Sequence, residues 1–326
     1  MNILNTVKKI PGGLMVVPLV LGAITNTFAP QVFTIGGFTE ALLKTGAPAL
    51  LAAFLMCNGA QIQIRQAGLP VLKGIILLVV KVIIGALLGI LVNHFWGIYG
   101  VLGITPLAII ASLTNKNGGL YAALAGEYGD STDVGAVSII ALSDGPFFTM
   151  LAFGATGLAQ ISFTVLLAAL IPILLGLVLG NLDDNIRKFL APGTSILIPL
   201  FAFPLGAALN FNQLISAGVS GIILGISCVV ITGFAGYFAF KLFRFKFPQV
   251  GAAVGATAGN AVATPAAVAA VDPTFAEIMP QATAQVAAAV IVTAVLCPIL
   301  VSFLNKLENK KLKAKLEKDA NKGETK

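Results

Sequence analysis

Two polar interruptions of otherwise apolar sequence hold the residues that could do chemistry. The first is Thr114-Asn115-Lys116-Asn117-Gly118-Gly119, and the second runs from Thr257-Ala258-Gly259-Asn260 to Thr264-Pro265. Asn and Thr side chains supply hydrogen-bond donors and acceptors that suit hydroxyl groups. If each interruption separates two half-helices, the downstream half presents unpaired N–H groups and a partial positive charge. That arrangement suits an anionic group, and Lys116 adds a full positive charge beside one such end. A small polyhydroxylated carboxylate fits this set better than a bare cation or a hydrophobic solute. The plainer reading is that the Asn and Thr groups satisfy broken backbone and that Lys116 pairs with an acid.

A second chemistry is proton uptake. Asp144, with Ser143 beside it, lies in Ala141-Leu142-Ser143-Asp144-Gly145-Pro146, in the middle of an apolar segment. A buried carboxylate without a partner has a raised pKa and takes up a proton near neutral pH. Asp144 is therefore the candidate coupling residue, with an ion pair to Lys81 or Lys116 as the alternative. Lys81 reads either as a side chain snorkelling to the interface or as a member of the site. Gln281 and Gln285, one helical turn apart, face one way and either border the site or bridge helices. Asn58 and Gln61 are lesser candidates, and Asp130 and Asp133 read as helix caps.

The elements that must position these groups are transmembrane helices. The 326 residues are 57% hydrophobic and only 10% charged, and the mean hydropathy is +0.96. A soluble domain of this length carries far more charge, so the chain reads as an all-α polytopic membrane protein embedded in a lipid bilayer. The +7 formal charge is scattered through loops and one tail and does not indicate nucleic-acid binding. His94 is the sole histidine, and Cys57, Cys228 and Cys297 sit in apolar runs at no metal-ligand spacing. No metal site, disulfide, cofactor or enzymatic motif is expected, and the N-terminal apolar run reads as a spanning helix rather than a cleaved signal.

Ten spans are expected, at about 12–29, 46–63, 70–93, 104–127 (broken), 133–157, 161–180, 193–210, 215–240, 249–271 (broken) and 275–304. With ten spans both termini share a side. That side collects Lys8, Lys9, Arg65, Lys73, Arg187, Lys188, Lys241, Arg244, Lys246 and the lysines from Lys306 to Lys326, against Lys44 opposite. The bias places both termini in the cytoplasm. The segment 306–326 reads as a charged tail, a topology and solubility element that frays along the surface.

An internal repeat organises the spans. Residues 43–66 match 190–213 at a constant shift of 147, through Leu43/Leu190, Gly46/Gly193, Leu50/Leu197, Phe54/Phe201, Gly59/Gly206, Ala60/Ala207 and Gln66/Gln213. Gly74-Ile75-Ile76-Leu77 continues it against Gly221-Ile222-Ile223-Leu224. Earlier, Val17-Pro18-Leu19-Val20-Leu21-Gly22 resembles Ile171-Pro172-Ile173-Leu174-Leu175-Gly176, and Thr114-x-x-Asn117 matches Thr257-x-x-Asn260. A five-span unit inverts its second copy. The expected units are 1–160 and 161–305, with broken helices four and nine crossing at the bilayer midplane, a hallmark of secondary transporters.

Four motifs carry a family resemblance: Ile10-Pro11-Gly12-Gly13-Leu14-Met15-Val16-Val17-Pro18-Leu19, Leu113-Thr114-Asn115-Lys116-Asn117-Gly118-Gly119-Leu120-Tyr121, Leu142-Ser143-Asp144-Gly145-Pro146-Phe147 and Gly255-Ala256-Thr257-Ala258-Gly259-Asn260-Ala261. Along essentially the whole chain, the sequence resembles the 2-keto-3-deoxygluconate permease family. The resemblance implies proton-linked uptake of that sugar acid across a bacterial inner membrane. It also implies the architecture of the bile-acid/sodium symporter group. There a panel domain (here 1–66 and 161–213) packs on a core domain (67–160 and 214–305) that holds the two crossing helices. The rivals are a sodium-coupled organic-anion symporter of the same fold, and a channel. A membrane-embedded enzyme has the least support.

Overall fold

The computed structural model describes residues 2–10, 13–63, 68–140, 145–159, 163–208, 215 and 218–323. Among them the regular structure is helical, apart from one isolated bridge between Val101 and Ile104. Five helices are long and apolar enough to cross a membrane: Leu69–Trp96, Asp184–Ala207, Gly218–Leu242, Pro248–Val271 and Met279–Lys313. Two bent pairs raise the number to seven, Ile3–Lys9 with Gly13–Phe28 and Gly37–Leu43 with Ala47–Gln61. The chain is thus an all-α, multi-pass membrane protein.

Other expected spans fall on shorter pieces, and the causes are local. The expected span at 133–157 is divided into Ser131–Gly135, Val137–Ile140 and Phe147–Ala155. Gly145 stands at φ +114, and Pro146, which follows it, cannot donate to a preceding turn. Asp144 and Ser143 lie outside the described residues. The helix Gly218–Cys228 passes through a π-helical stretch, Val229–Gly233, before continuing as Phe234–Leu242. Pro18, Pro172, Pro199, Pro204 and Pro298 sit inside helices, which membrane helices tolerate when neighbours satisfy the freed groups.

The charged tail departs from expectation. The last helix, Met279–Gly323, runs from the apolar segment through the lysine-rich end without a break. Its first charged turn is tied down: the Tyr237 hydroxyl donates to Glu308 at 2.5 Å and Lys311 pairs with the same carboxylate at 2.8 Å. Gln249 reaches Asn305 at 3.2 Å.

Small residues set the helix spacing, as expected where apolar burial cannot drive association in lipid. Gly13–Phe28 crosses Gly193–Ala207 at Gly22 and Gly206. A Cβ on Gly206 would stand 1.9 Å from the Leu19 carbonyl oxygen, and one on Gly22 would stand 2.2 Å from that of Phe203. Ala47–Gln61 crosses Phe163–Leu182 in the same manner: a Cβ on Gly59 would meet the Ile173 oxygen at 2.1 Å, and one on Gly176 the Met56 oxygen at 1.9 Å. The backbones touch, so no rotamer change relieves a larger side chain. Gly206→Val and Gly176→Val should each destroy the monodisperse species in detergent size-exclusion chromatography. Gly126 is exposed, and a Cβ added to it would meet nothing within 4 Å. It should accept alanine with a gain of up to ~1 kcal/mol in thermal unfolding.

Candidate functional site

The first broken segment consists of Pro106–Thr114 and Gly118–Tyr128, joined by Asn115, Lys116 and Asn117 outside any helix. The interruption is shorter than the expected 114–119, because Thr114 closes one helix and Gly118 and Gly119 open the next. Thr105 caps the first half by accepting from the Ala108 N–H at 3.1 Å. Asn117 caps the second half, its side-chain oxygen accepting from the Leu120 N–H at 3.0 Å. The N–H groups of Gly118 and Gly119, in the first turn, have no intrahelical acceptor.

The second broken segment winds as Pro248–Gly251 and a 3-10 turn at Ala252–Gly255. It is extended at Ala256 and Ala258, then resumes as a 3-10 turn at Gly259–Ala263 and an α-helix at Thr264–Val271. The break expected at 257–265 is centred earlier. Pro265 does not cause it; it occupies the first turn of Thr264–Val271, where a missing N–H costs nothing.

The two breaks touch. The Asn117 N–H points to the Ala256 carbonyl at 3.4 Å. The Thr257 hydroxyl donates to the Ser112 carbonyl at 3.1 Å, and the Thr257 N–H donates to the Thr293 hydroxyl at 3.1 Å. Lys81 does not snorkel. It is wholly buried, and its ammonium donates to the carbonyls of Val254 at 2.6 Å and Ala256 at 2.9 Å. A cation at the carbonyl end of a helix is the favourable placement, and here it satisfies oxygens that the break has released.

A cavity of ≈ 400 Å³ opens against these breaks. On one side it is lined by Asn117, Gly118, Gly119, Ala258, Gly259 and Asn260. On the other stand Lys8, Asn58, Thr194 and Ser195, with Met15 and Phe54 supplying apolar wall. The structure therefore brings together five expected site residues: Asn117, Gly118, Gly119, Gly259 and Asn260. Asn260 is 3% exposed, and neither its amide nitrogen nor its amide oxygen has a partner among the described residues. A buried side chain with both functions open costs free energy unless something else completes it.

The remaining expected residues stand elsewhere. Thr114, Asn115, Lys116, Thr257 and Thr264 are buried and do not line the cavity. The Thr114 hydroxyl is bonded to the Ile110 carbonyl at 2.7 Å and lies 2.6 Å from that of Thr149. Asn115 donates to Gly145 at 3.3 Å. Gln281 and Gln285 bridge helices instead: both donate to the Gly103 carbonyl, and Gln285 also binds Thr105 and Ser220. Lys8, Thr194 and Ser195 were not expected at the site. The polar pair Thr194-Ser195 at the start of an apolar span was the signal available, whereas Lys8 read only as a topology charge.

Lys73, expected only as a charge on the cytoplasmic side, is buried and paired with Asp133, with the rings of Phe240 and Phe245 at 5.9 and 5.4 Å. Asp133 and Asp130 form a reciprocal cap on Ser131–Gly135. The Thr132 hydroxyl, followed by backbone N–H groups, holds the Asp130 carboxyl below the usual carboxylate range. Asp133→Leu should cost about 3–5 kcal/mol in thermal unfolding by removing the nearest counter-charge of buried Lys73, leaving it Asp130 at 3.8 Å. The double variant Lys73→Met/Asp133→Leu should recover most of that loss.

Broken helices meeting around a polar cavity inside a multi-pass membrane protein define the class as a membrane transport protein. Sequence comparison agrees: the family profile described as 2-keto-3-deoxygluconate permease matches residues 4–310. The chain is 49% identical over 278 residues to 2-keto-3-deoxygluconate permease 1 of Salmonella typhimurium, covering 85% of this chain and 87% of that one. It is 42% identical over 289 residues to the Bacillus subtilis permease, covering 87% of each, and 39% identical over 289 residues to that of Pectobacterium carotovorum, covering 87% and 91%. The chain belongs to the 2-keto-3-deoxygluconate permease family, multi-pass transporters of the bacterial inner membrane.

Proposed function

We propose that this protein takes up 2-keto-3-deoxygluconate, or a closely similar sugar acid, by proton-coupled symport with alternating access. The observation that carries the binding site is Asn260, buried with both amide functions open, on the cavity that the Gly118–Gly119 helix start also lines. The helix start suits the carboxylate and Asn260 suits a hydroxyl or the keto oxygen. Thr114, Asn115 and Thr257 hold the crossing from behind, Lys116 and Thr264 lie buried beside them, and Gln281 and Gln285 fasten its periphery.

The ten-span plan with inverted repeats 1–160 and 161–305 is supported by paired contacts. Gly22 of the first unit meets Gly206 of the second, and Gly176 of the second meets Gly59 of the first. Gly22 and Gly176 close the matching Pro-containing motifs, and Gly59 and Gly206 match at the shift of 147. On this reading 1–66 and 161–213 form the panel, and 67–160 and 214–305 form the core that moves against it.

With both termini cytoplasmic, the polar cavity faces the cytoplasm, because Lys8 lines it together with Asn58 and Thr194. A second cavity of ≈ 290 Å³ lies nearer the opposite ends of the same panel helices, where Ala47, Leu51 and Leu205 face Ala263 and Ala267. Its apolar walls are the surfaces that move apart on the external side. Asp144, assisted by Ser143, takes up the coupling proton. Lys81 links that event to the crossing through its hydrogen bonds to the Val254 and Ala256 carbonyls.

The test is uptake of labelled 2-keto-3-deoxygluconate into proteoliposomes under an inward proton gradient, then under a sodium gradient alone. Accumulation with protons and not with sodium is expected; accumulation with sodium alone would overturn the coupling assignment. Asn260→Ala should raise KM about 10- to 100-fold, the loss of one or two buried hydrogen bonds. Asp144→Asn should abolish proton-driven accumulation while keeping substrate exchange.

A further inference from the structure

We infer that Lys8, rather than Lys116, is the cation that recognises the carboxylate of the substrate. This rests on the binding cavity proposed for the sugar acid and goes beyond it by assigning the charge. Among the described residues lining that cavity, Lys8 is the one charged side chain, and no carboxylate opposes it. The other lysines near the crossing are otherwise engaged or placed. Lys81 is spent on the Val254 and Ala256 carbonyls, Lys73 on Asp133, and Lys116 is wholly buried and lines no part of the cavity. The helix start at Gly118–Gly119 supplies only partial charge, so a carboxylate in the cavity finds its full counter-charge at Lys8.

The position of Lys8 also suits a transporter that must release its substrate. Lys8 sits in the short helix Ile3–Lys9, which buries none of its residues and bends by 107° into Gly13–Phe28. Ile3 and Leu4 are 62% and 56% exposed on it. The helix carries Lys8 one turn after Leu4, both of them exposed. Its lysine stays hydrated at the cavity rim, and a flexible four-carbon arm brings the ammonium to the substrate. A fully buried ammonium would have to be desolvated and held for the carboxylate. At the rim the charge attracts the anion into a narrow cavity at little desolvation cost. The neighbouring Lys9 does not line the cavity, which gives an internal control of equal charge one residue away.

The experiment is binding of 2-keto-3-deoxygluconate to detergent-purified protein by calorimetry, in which membrane orientation plays no part. Lys8→Gln should weaken binding about 2- to 5-fold, the range of a solvent-exposed ion pair. Lys8→Arg should keep most of the affinity, and Lys9→Gln and wild type should be equal. The neutral carboxamide analogue of the substrate should bind Lys8→Gln and wild type equally. An unchanged affinity in Lys8→Gln, or an equal loss for acid and carboxamide, would overturn the inference. Asn260→Ala distinguishes failure of the Lys8 assignment from failure of the cavity. If it weakens binding while Lys8→Gln does not, the cavity stands and the Lys8 assignment falls; if neither variant matters, the cavity itself is not the site.

Discussion

Everything in this structure depends on satisfying unwound backbone inside a membrane. Where a helix stops in hydrocarbon, each orphan N–H or carbonyl must find a partner within the protein. Here the two broken segments provide for each other: Asn117 N–H turns to the Ala256 carbonyl, and Thr257 bonds the Ser112 carbonyl. The two breaks share hydrogen bonds although they lie about 140 residues apart in the chain.

The support for the crossing is unequal on its two sides. At position 81 a lysine holds the carbonyls of Val254 and Ala256. The residue 147 positions further along is Cys228, whose thiol lies 3.2 Å from the Thr257 hydroxyl and near the carbonyls of Ser112 and Gly255. Lys81 serves the second break alone, whereas the Cys228 thiol stands between the two, beside Gly255 and Thr257 of the second and Ser112 of the first. The difference concentrates positive charge behind the second break, where a carbonyl end would otherwise attract a cation.

Around this unit the helices approach to backbone contact at glycines, and the surfaces that face the crossing differ at their two ends. One end is polar and carries Asn58, Thr194 and Ser195; the other is lined by alanines, leucines and prolines. Small apolar side chains pack without committing to specific partners, and they allow a seam to open and close at modest cost. Asn58, Thr194 and Ser195 at the other end line the polar cavity.

The sequence by itself determined the class of the protein and the neighbourhood, not the exact bounds, of its breaks. Hydrophobicity, the scarcity of charge and the Thr-x-x-Asn interruptions are local properties, and local composition dictates whether a segment belongs in lipid and where a helix cannot continue. Only the tertiary structure decided which polar residues line the cavity. Lys116, Gln285 and Lys81 carried as strong a sequence signal as Asn260, and Lys8 carried a weaker one. Side-chain direction around a helix and the partner met on a distant helix are non-local facts. Gln285 is taken up by Gly103 and Thr105, Lys81 by Val254 and Ala256, and Asn260 by nothing among the described residues. The role of Pro265 was lost likewise, because a proline breaks a helix or begins one according to where the preceding backbone turns.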